Sequence, residues 1–197
     1  INGLGGAASV TSKVAIVRPS LRPDADVDYT FAQVAVDKPL VSYKGNCGNI
    51  SSGVGPFAIE RGIVPIRGKT TEVRIFNTNT ERIIVEEIQT SHGRVQYDGN
   101  CRIAGVPGSA APVKMSFLKP EGTLGKGLLP TGKASEILDV PEYGKIEASI
   151  IDAANPLVFV NAGDLELSGT KLEENREMLD LLERIRAAAA VRLGLIE

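Results

Sequence analysis

Punctuation is what most limits the fold of this chain: its β-forming runs are short, and Gly, Pro, Asn or Asp cuts nearly every one of them. Residues 14–17 form an apolar run stopped by Arg18-Pro19, the pattern of a buried strand. Residues 28–36 alternate, with Tyr29, Phe31 and the valines as β-formers. Residues 72–78, 82–89 and 94–97 read as successive strands joined by short turns, an antiparallel meander. Strand patterns resume at 113–118, 146–151 and 157–160. Only two stretches keep a helical period. After the turn Gly45-Asn46-Cys47-Gly48-Asn49, the residues Ile50, Val54, Phe57, Ala58 and Ile59 recur at that spacing, with Gly62 as the stop. Gly53, Gly55 and Pro56 are poor helix formers, so this helix is expected to depend on close packing on every side. Near the end, Thr170 and Glu173 make a capping box, and Leu172, Leu179, Leu182, Ile185, Ala189 and Leu193 predict one long helix. Strands with one Gly-rich and one terminal helix define an α+β chain.

The Gly, Pro, Ser and Ala stretch at 103–111 is the best linker, and it predicts units of 1–107 and 108–197. Twenty-two basic against 24 acidic residues argue against a nucleic-acid partner, while leaving room for a small anion held by a local cluster. One His and two Cys without paired spacing provide too few ligands for a structural zinc, so no metal is expected. They equally argue against a disulfide scaffold, which makes a reducing cytoplasm the default. No apolar run reaches the ~18 residues of a membrane span, and no signal peptide is visible.

Two glycine motifs lack the context that their chemistry needs. Gly3-Leu4-Gly5-Gly6-Ala7-Ala8 fits a dinucleotide fingerprint, but no strand precedes it and a strand pattern follows. Gly127 to Lys133 resembles a phosphate loop, but Ala134 stands where a hydroxyl should hold Mg²⁺.

Cys47 is the first candidate for chemistry. Free amides and the positive end of a helix dipole lower a thiol's pKa and attract a carboxylate. The flanking asparagines and glycines supply donors that an inert core cysteine does not require. Lys13 is the second, at the junction of a Gly/Ser/Thr-rich loop and the 14–17 strand, where a desolvated lysine can serve as a proton-abstracting base. A solvent-facing lysine at a strand edge is the plainer alternative. Cys101 reads as structural or exposed, and His92 as a surface turn residue. Asp24, Asp26 and Asp28 read as a solvated turn rather than a cation site.

Taken in order, several blocks resemble the PrpF-type isomerases, the family of 2-methylaconitate cis–trans isomerase, methylitaconate Δ-isomerase and 4-oxalomesaconate tautomerase. They are Gly5-Gly6, Ser9 through Lys13, Arg22-Pro23-Asp24-Ala25-Asp26-Val27-Asp28-Tyr29, Gly45 through Asn49 and Gly55-Pro56-Phe57-Ala58. Val106-Pro107-Gly108, Leu128 through Gly132 and Asp152-Ala153-Ala154-Asn155-Pro156 continue the match over nearly the whole chain. The resemblance implies a diaminopimelate-epimerase-like fold: two similar domains, each a curled, mostly antiparallel sheet around a central helix, with the site in the cleft between them. It makes 48–61 the first central helix. It assigns Lys13 as general base and Cys47 as the group that returns or guides a proton. Substrate carboxylates are expected on Gly48, Asn49 and Asn155, with Ser12 and Asn46 lining the same pocket.

The implied activity shifts or isomerises a C=C bond in an unsaturated di- or tricarboxylic acid without a cofactor. The implied setting is cytoplasmic propionate catabolism, with a functional link to an aconitase-like dehydratase and room for a homo-oligomer. Family members are longer and carry an Arg-Gly-Gly-Thr-Ser-Lys-type segment near their start. The chain therefore reads as an internal fragment whose second domain is incomplete. Two other readings stay open: an amino-acid epimerase or racemase of the same fold, for which Cys101 is badly placed as a second thiol, and a non-catalytic accessory protein of an iron–sulfur dehydratase.

Overall fold

The computed structural model describes residues 8–168 and 176–197. The Thr170–Glu173 capping box, Leu172 and most of the Gly3–Ala8 motif lie outside the described residues. The chain divides into two units, Ile1–Lys119 and Pro120–Glu197.

The first unit is a mixed sheet with helices against one face. Its strands are β1 (Lys13–Pro19), β2 (Val27–Val34), β3 (Val41–Ser42), β4 (Thr70–Asn77), β5 (Arg82–Ser91), β6 (Arg94–Val95) and β7 (Val113–Phe117). They run in the order β1-β2-β4-β5-β6, with β3 beside β2 and β7 beside β5. Among the described strands only β2 and β4 pair in parallel. The chain between them crosses over through α1 (Gly48–Ser51) and α2 (Val54–Glu60). The division falls after Lys119 and not after residue 107, because β7 is part of this sheet: Ile84 pairs with Phe117 and Ile88 with Val113.

Strict alternation in β4 and β5 aims Val73, Ile75, Ile84 and Ile88 at the helices, where Val54, Ala58 and Ile59 complete the core with Val27, Tyr29 and Phe31. The expected single helix is two segments, broken at Ser52-Gly53. Each glycine costs about 1 kcal/mol in helix propensity, whereas each fully buried Val or Ile contributes roughly 1.5–3 kcal/mol, so packing decides the outcome. Pro56 is tolerated because it lies in the first turn of α2, where its missing N–H has no intrahelical acceptor to lose. Close packing is confined to one side: a Cβ on Gly55 would overlap Glu86 Oε2, while Phe57 and Glu60 are exposed.

Strand β1 corrects another expectation. It is an edge strand, with Val14 and Ile16 half exposed and only Ala15 and Val17 on the core side. The Asp24–Asp28 turn also differs from a solvated loop. Asp24 pairs with Arg22, Asp26 accepts from the Arg74 amide, and buried Asp28 binds Arg18 and Ser20.

The second unit holds the antiparallel sheet β10-β9-β8, made of β8 (Glu136–Val140), β9 (Gly144–Ala153) and β10 (Asn155–Val160). Helix α3 (Arg176–Leu193) covers it, placing Ile185, Ala189 and Leu193 on Leu138, Val140 and Ile146. Leu179 and Leu182 face outward, and Met178 and Leu181 take the inward positions instead. No described helix is long and apolar enough to cross a membrane.

Candidate functional site around Lys13 and Cys47

Lys13 is the first residue of β1, paired with Gln33 of β2. Strand alternation puts it on the same face as Ala15 and Val17, the face that meets the helices. The approach to Lys13 is anchored by β2: the Ser12 carbonyl accepts from the Val34 amide at 2.9 Å and from Gln33 Nε2 at 3.0 Å. Cys47 is the N-cap of α1, in extended conformation, and its carbonyl accepts from the Ser51 amide and hydroxyl. These two elements bring the side chains together. Lys13 Nζ donates to Cys47 Sγ at 3.2 Å, and both residues are half-buried.

The electrostatics of the thiol follow from this placement. Burial alone pushes Cys47 up, but the Ile50 amide, the Lys13 ammonium and the Asn49 amide together hold it below its ordinary value. Cys101, half-buried, sits instead in an isolated bridge with Ala110.

Gly48 and Asn49 form the exposed first turn of α1. Asn46, just before the thiol, accepts from Asn77 Nδ2 at 2.8 Å. Asn155 belongs to the second unit, where it opens β10 opposite Ala153, immediately after the left-handed Ala154 (φ 63°). The Ala154 amide donates to the Pro120 carbonyl, and buried Asp152 accepts from Thr123 Oγ1 and the Leu124 amide. His92 is exposed in the two-residue β5–β6 turn, where it and Gly93 both have positive φ. Asn77 and Ser51 belong to the surroundings of the thiol, yet nothing in the sequence marks them beyond turn and helix chemistry. Among the described residues no three His, Cys, Asp or Glu gather as metal ligands.

The PrpF protein family matches residues 1–197. A 4-oxalomesaconate tautomerase of Pseudomonas putida is 46% identical over 99% of this chain and 54% of its own length. The crystal structure of a methylitaconate-delta-isomerase superposes with a TM-score of 0.76 at 45% identity, over 98% of this chain and 51% of the other. A hydroxyproline epimerase from Agrobacterium vitis shares the fold alone, at 13% identity and a TM-score of 0.51 over 79% of this chain and 36% of its own. The chain spans about half the length of the curated relatives it matches.

Proposed function

Because the chain belongs to the PrpF protein family, we propose that the full-length protein is a cofactor-independent isomerase of unsaturated di- or tricarboxylic acids. The substrate class is that of 2-methylaconitate, methylitaconate or oxalomesaconate, and the reaction moves or rotates a C=C bond. The observation that carries this reading is the 3.2 Å contact between Lys13 Nζ and Cys47 Sγ, two proton-transfer groups on a half-exposed surface.

In this mechanism a proton first passes from Lys13 to Cys47 across their contact, and the resulting Lys13 amine takes the allylic proton beside a carboxylate and becomes ammonium again. The electron pair left on carbon spreads into an extended enolate, which the amides of the first α1 turn and the Lys13 ammonium stabilise. The Cys47 thiol then returns a proton to the same or the distal carbon and becomes thiolate. The pair ends as ammonium and thiolate, as it began, so one turnover conserves every proton. Ser12, Asn46, Gly48, Asn49 and Asn155 are the substrate-binding groups of this reading.

A free reactive thiol of this kind fits a reducing cytoplasm. The same reading keeps a functional link to an aconitase-like dehydratase and a homo-oligomeric assembly. Both are tested by sedimentation of the full-length protein, alone and mixed with such an enzyme. The activity itself is tested by proton NMR of the full-length protein with each of the three acids. Bond migration or isomerisation in one of them is the expected result. Absence of change in all three overturns the reading.

A further inference from the structure

We propose that Asn77, at the end of β4, and Asn79, in the turn that follows it, are positioning residues that hold segment 43–46 so that Cys47 Sγ stands against Lys13 Nζ. Asn77 is fully buried, and its two ends do different work. Its Oδ1 accepts from the amides of Asn79 and Thr80, at 2.9 and 3.1 Å, which is all that a tight turn requires. Its Nδ2 donates at 2.8 Å to Asn46 Oδ1, one residue before the thiol.

Asn79 holds the other end of the same segment. Its Nδ2 donates to the Tyr43 carbonyl at 2.7 Å and to the Phe31 carbonyl at 2.9 Å, while its Oδ1 accepts from the Phe31 amide at 2.7 Å.

Segment 43–46 depends on these bonds. The strand before it, β3, is only the two residues Val41–Ser42, and Gly45 in the segment has a left-handed φ of 85°. The anchoring turn, by contrast, closes a ladder that runs from Thr70↔Gln89 to Asn77↔Arg82. A stiff hairpin therefore lends its geometry to a loop that has little of its own. The geometry matters because reacting groups lose much of their effect when displaced by about 1 Å. Neither asparagine touches Sγ or Nζ in any described contact, so both act through Asn46 and the loop backbone.

The inference rests on Lys13 and Cys47 being the reactive pair, but its test needs no substrate. The readout is the rate of Cys47 alkylation by iodoacetamide in the full-length protein, measured on the Cys47 peptide by mass spectrometry from pH 5 to 10. The variants are Asn77→Ser, which keeps a turn acceptor but cannot reach Asn46, and Asn79→Ser, each also made with Lys13→Met. Each single asparagine variant is expected to move the midpoint of the pH profile upward and to lower the rate at pH 7 severalfold. With Lys13→Met, neither is expected to move the midpoint further, since the ammonium they aim at is gone. Should Asn77→Ser fail to fold, Asn79→Ser carries the same comparison. An unchanged midpoint with a lowered melting temperature would reduce both residues to turn formers and overturn the proposal. An equal further shift in the Lys13→Met background overturns it too. Neither result depends on which acid, if any, the protein isomerises.

Discussion

Glu86 occupies the middle of β5 with its side chain fully buried under α2, and replacing it with Gln should make the fold's stability nearly independent of pH around that site. One carboxyl oxygen accepts from the Gly55 amide at 2.9 Å, and the other has no partner among the described residues. Burial pushes this group from 4.5 up to about 8, with the Gly55 amide opposing the rise. The folded-state value is the higher one, so the contribution is complete below pH 4.5 and is lost as pH rises toward 8. Within that window the folded protein must hold a proton that the unfolded chain releases, at about 1.4 kcal/mol per pH unit. The accumulated loss is about 3 kcal/mol at pH 7 and about 4 kcal/mol at pH 8. Gln has the same shape, keeps an acceptor for Gly55 and does not ionise. Urea unfolding of the full-length protein and of Glu86→Gln at pH 5, 6, 7 and 8 measures the difference directly. The two should be nearly equal at pH 5, with the Gln variant gaining stability steadily to pH 8. A difference that stays flat across this range, or that favours Glu as pH rises, would refute the reasoning.

Three other outcomes follow from the same structure. Lys13→Met removes the ammonium that helps to hold the Cys47 thiol down, so the pH profile of alkylation should move upward and the rate at pH 7 should drop. Gly55→Ala improves helix propensity by about 1 kcal/mol, yet the new Cβ would overlap Glu86 Oε2 and crowd Ile88 Cδ1 at 3.1 Å. Overpacking of this kind costs about 1–3 kcal/mol, so a net loss in denaturant unfolding is expected, whereas a net gain would mean that the helix can shift away from β5. Asp152→Ala leaves Thr123 Oγ1 and the Leu124 amide without their acceptor, and should cost about 2–4 kcal/mol. Hydrogen exchange should show the loss first at the Gly122 and Leu124 amides, and protection unchanged there would contradict it.

Much of the fold is legible because it is written in local periods. The meander β4–β5–β6 follows from alternation and short turns, and the crossover helices from small and apolar residues at helical spacing. What the local pattern misses is set by distant partners. The apolar run of β1 reads as buried, yet an edge position covers only its Ala15 and Val17 side. Leu179 and Leu182 share a helical period with Ile185, but the sheet beneath α3 meets the stripe of Met178, Leu181 and Ile185 instead. The site divides in the same way. Lys13 and Cys47 each stand out as candidates from their immediate neighbours, one at a loop-to-strand junction and one in a turn before a helix. Their contact at 3.2 Å depends on the crossover laying α1 beside β1, which no local spacing encodes. Asn77 is hidden for a related reason: asparagine after a strand signals a turn, and only the fold reveals the second bond of its side chain.

The central claim is that Lys13 removes a proton from carbon and that Cys47 completes the transfer. Deuterium incorporation from D₂O at the allylic carbon of the isomerised acid, followed by NMR in the full-length protein and in folded Lys13→Ala, tests it most directly. Exchange by the unaltered protein, lost in Lys13→Ala, is the result predicted here. Exchange that proceeds undiminished in Lys13→Ala would contradict it.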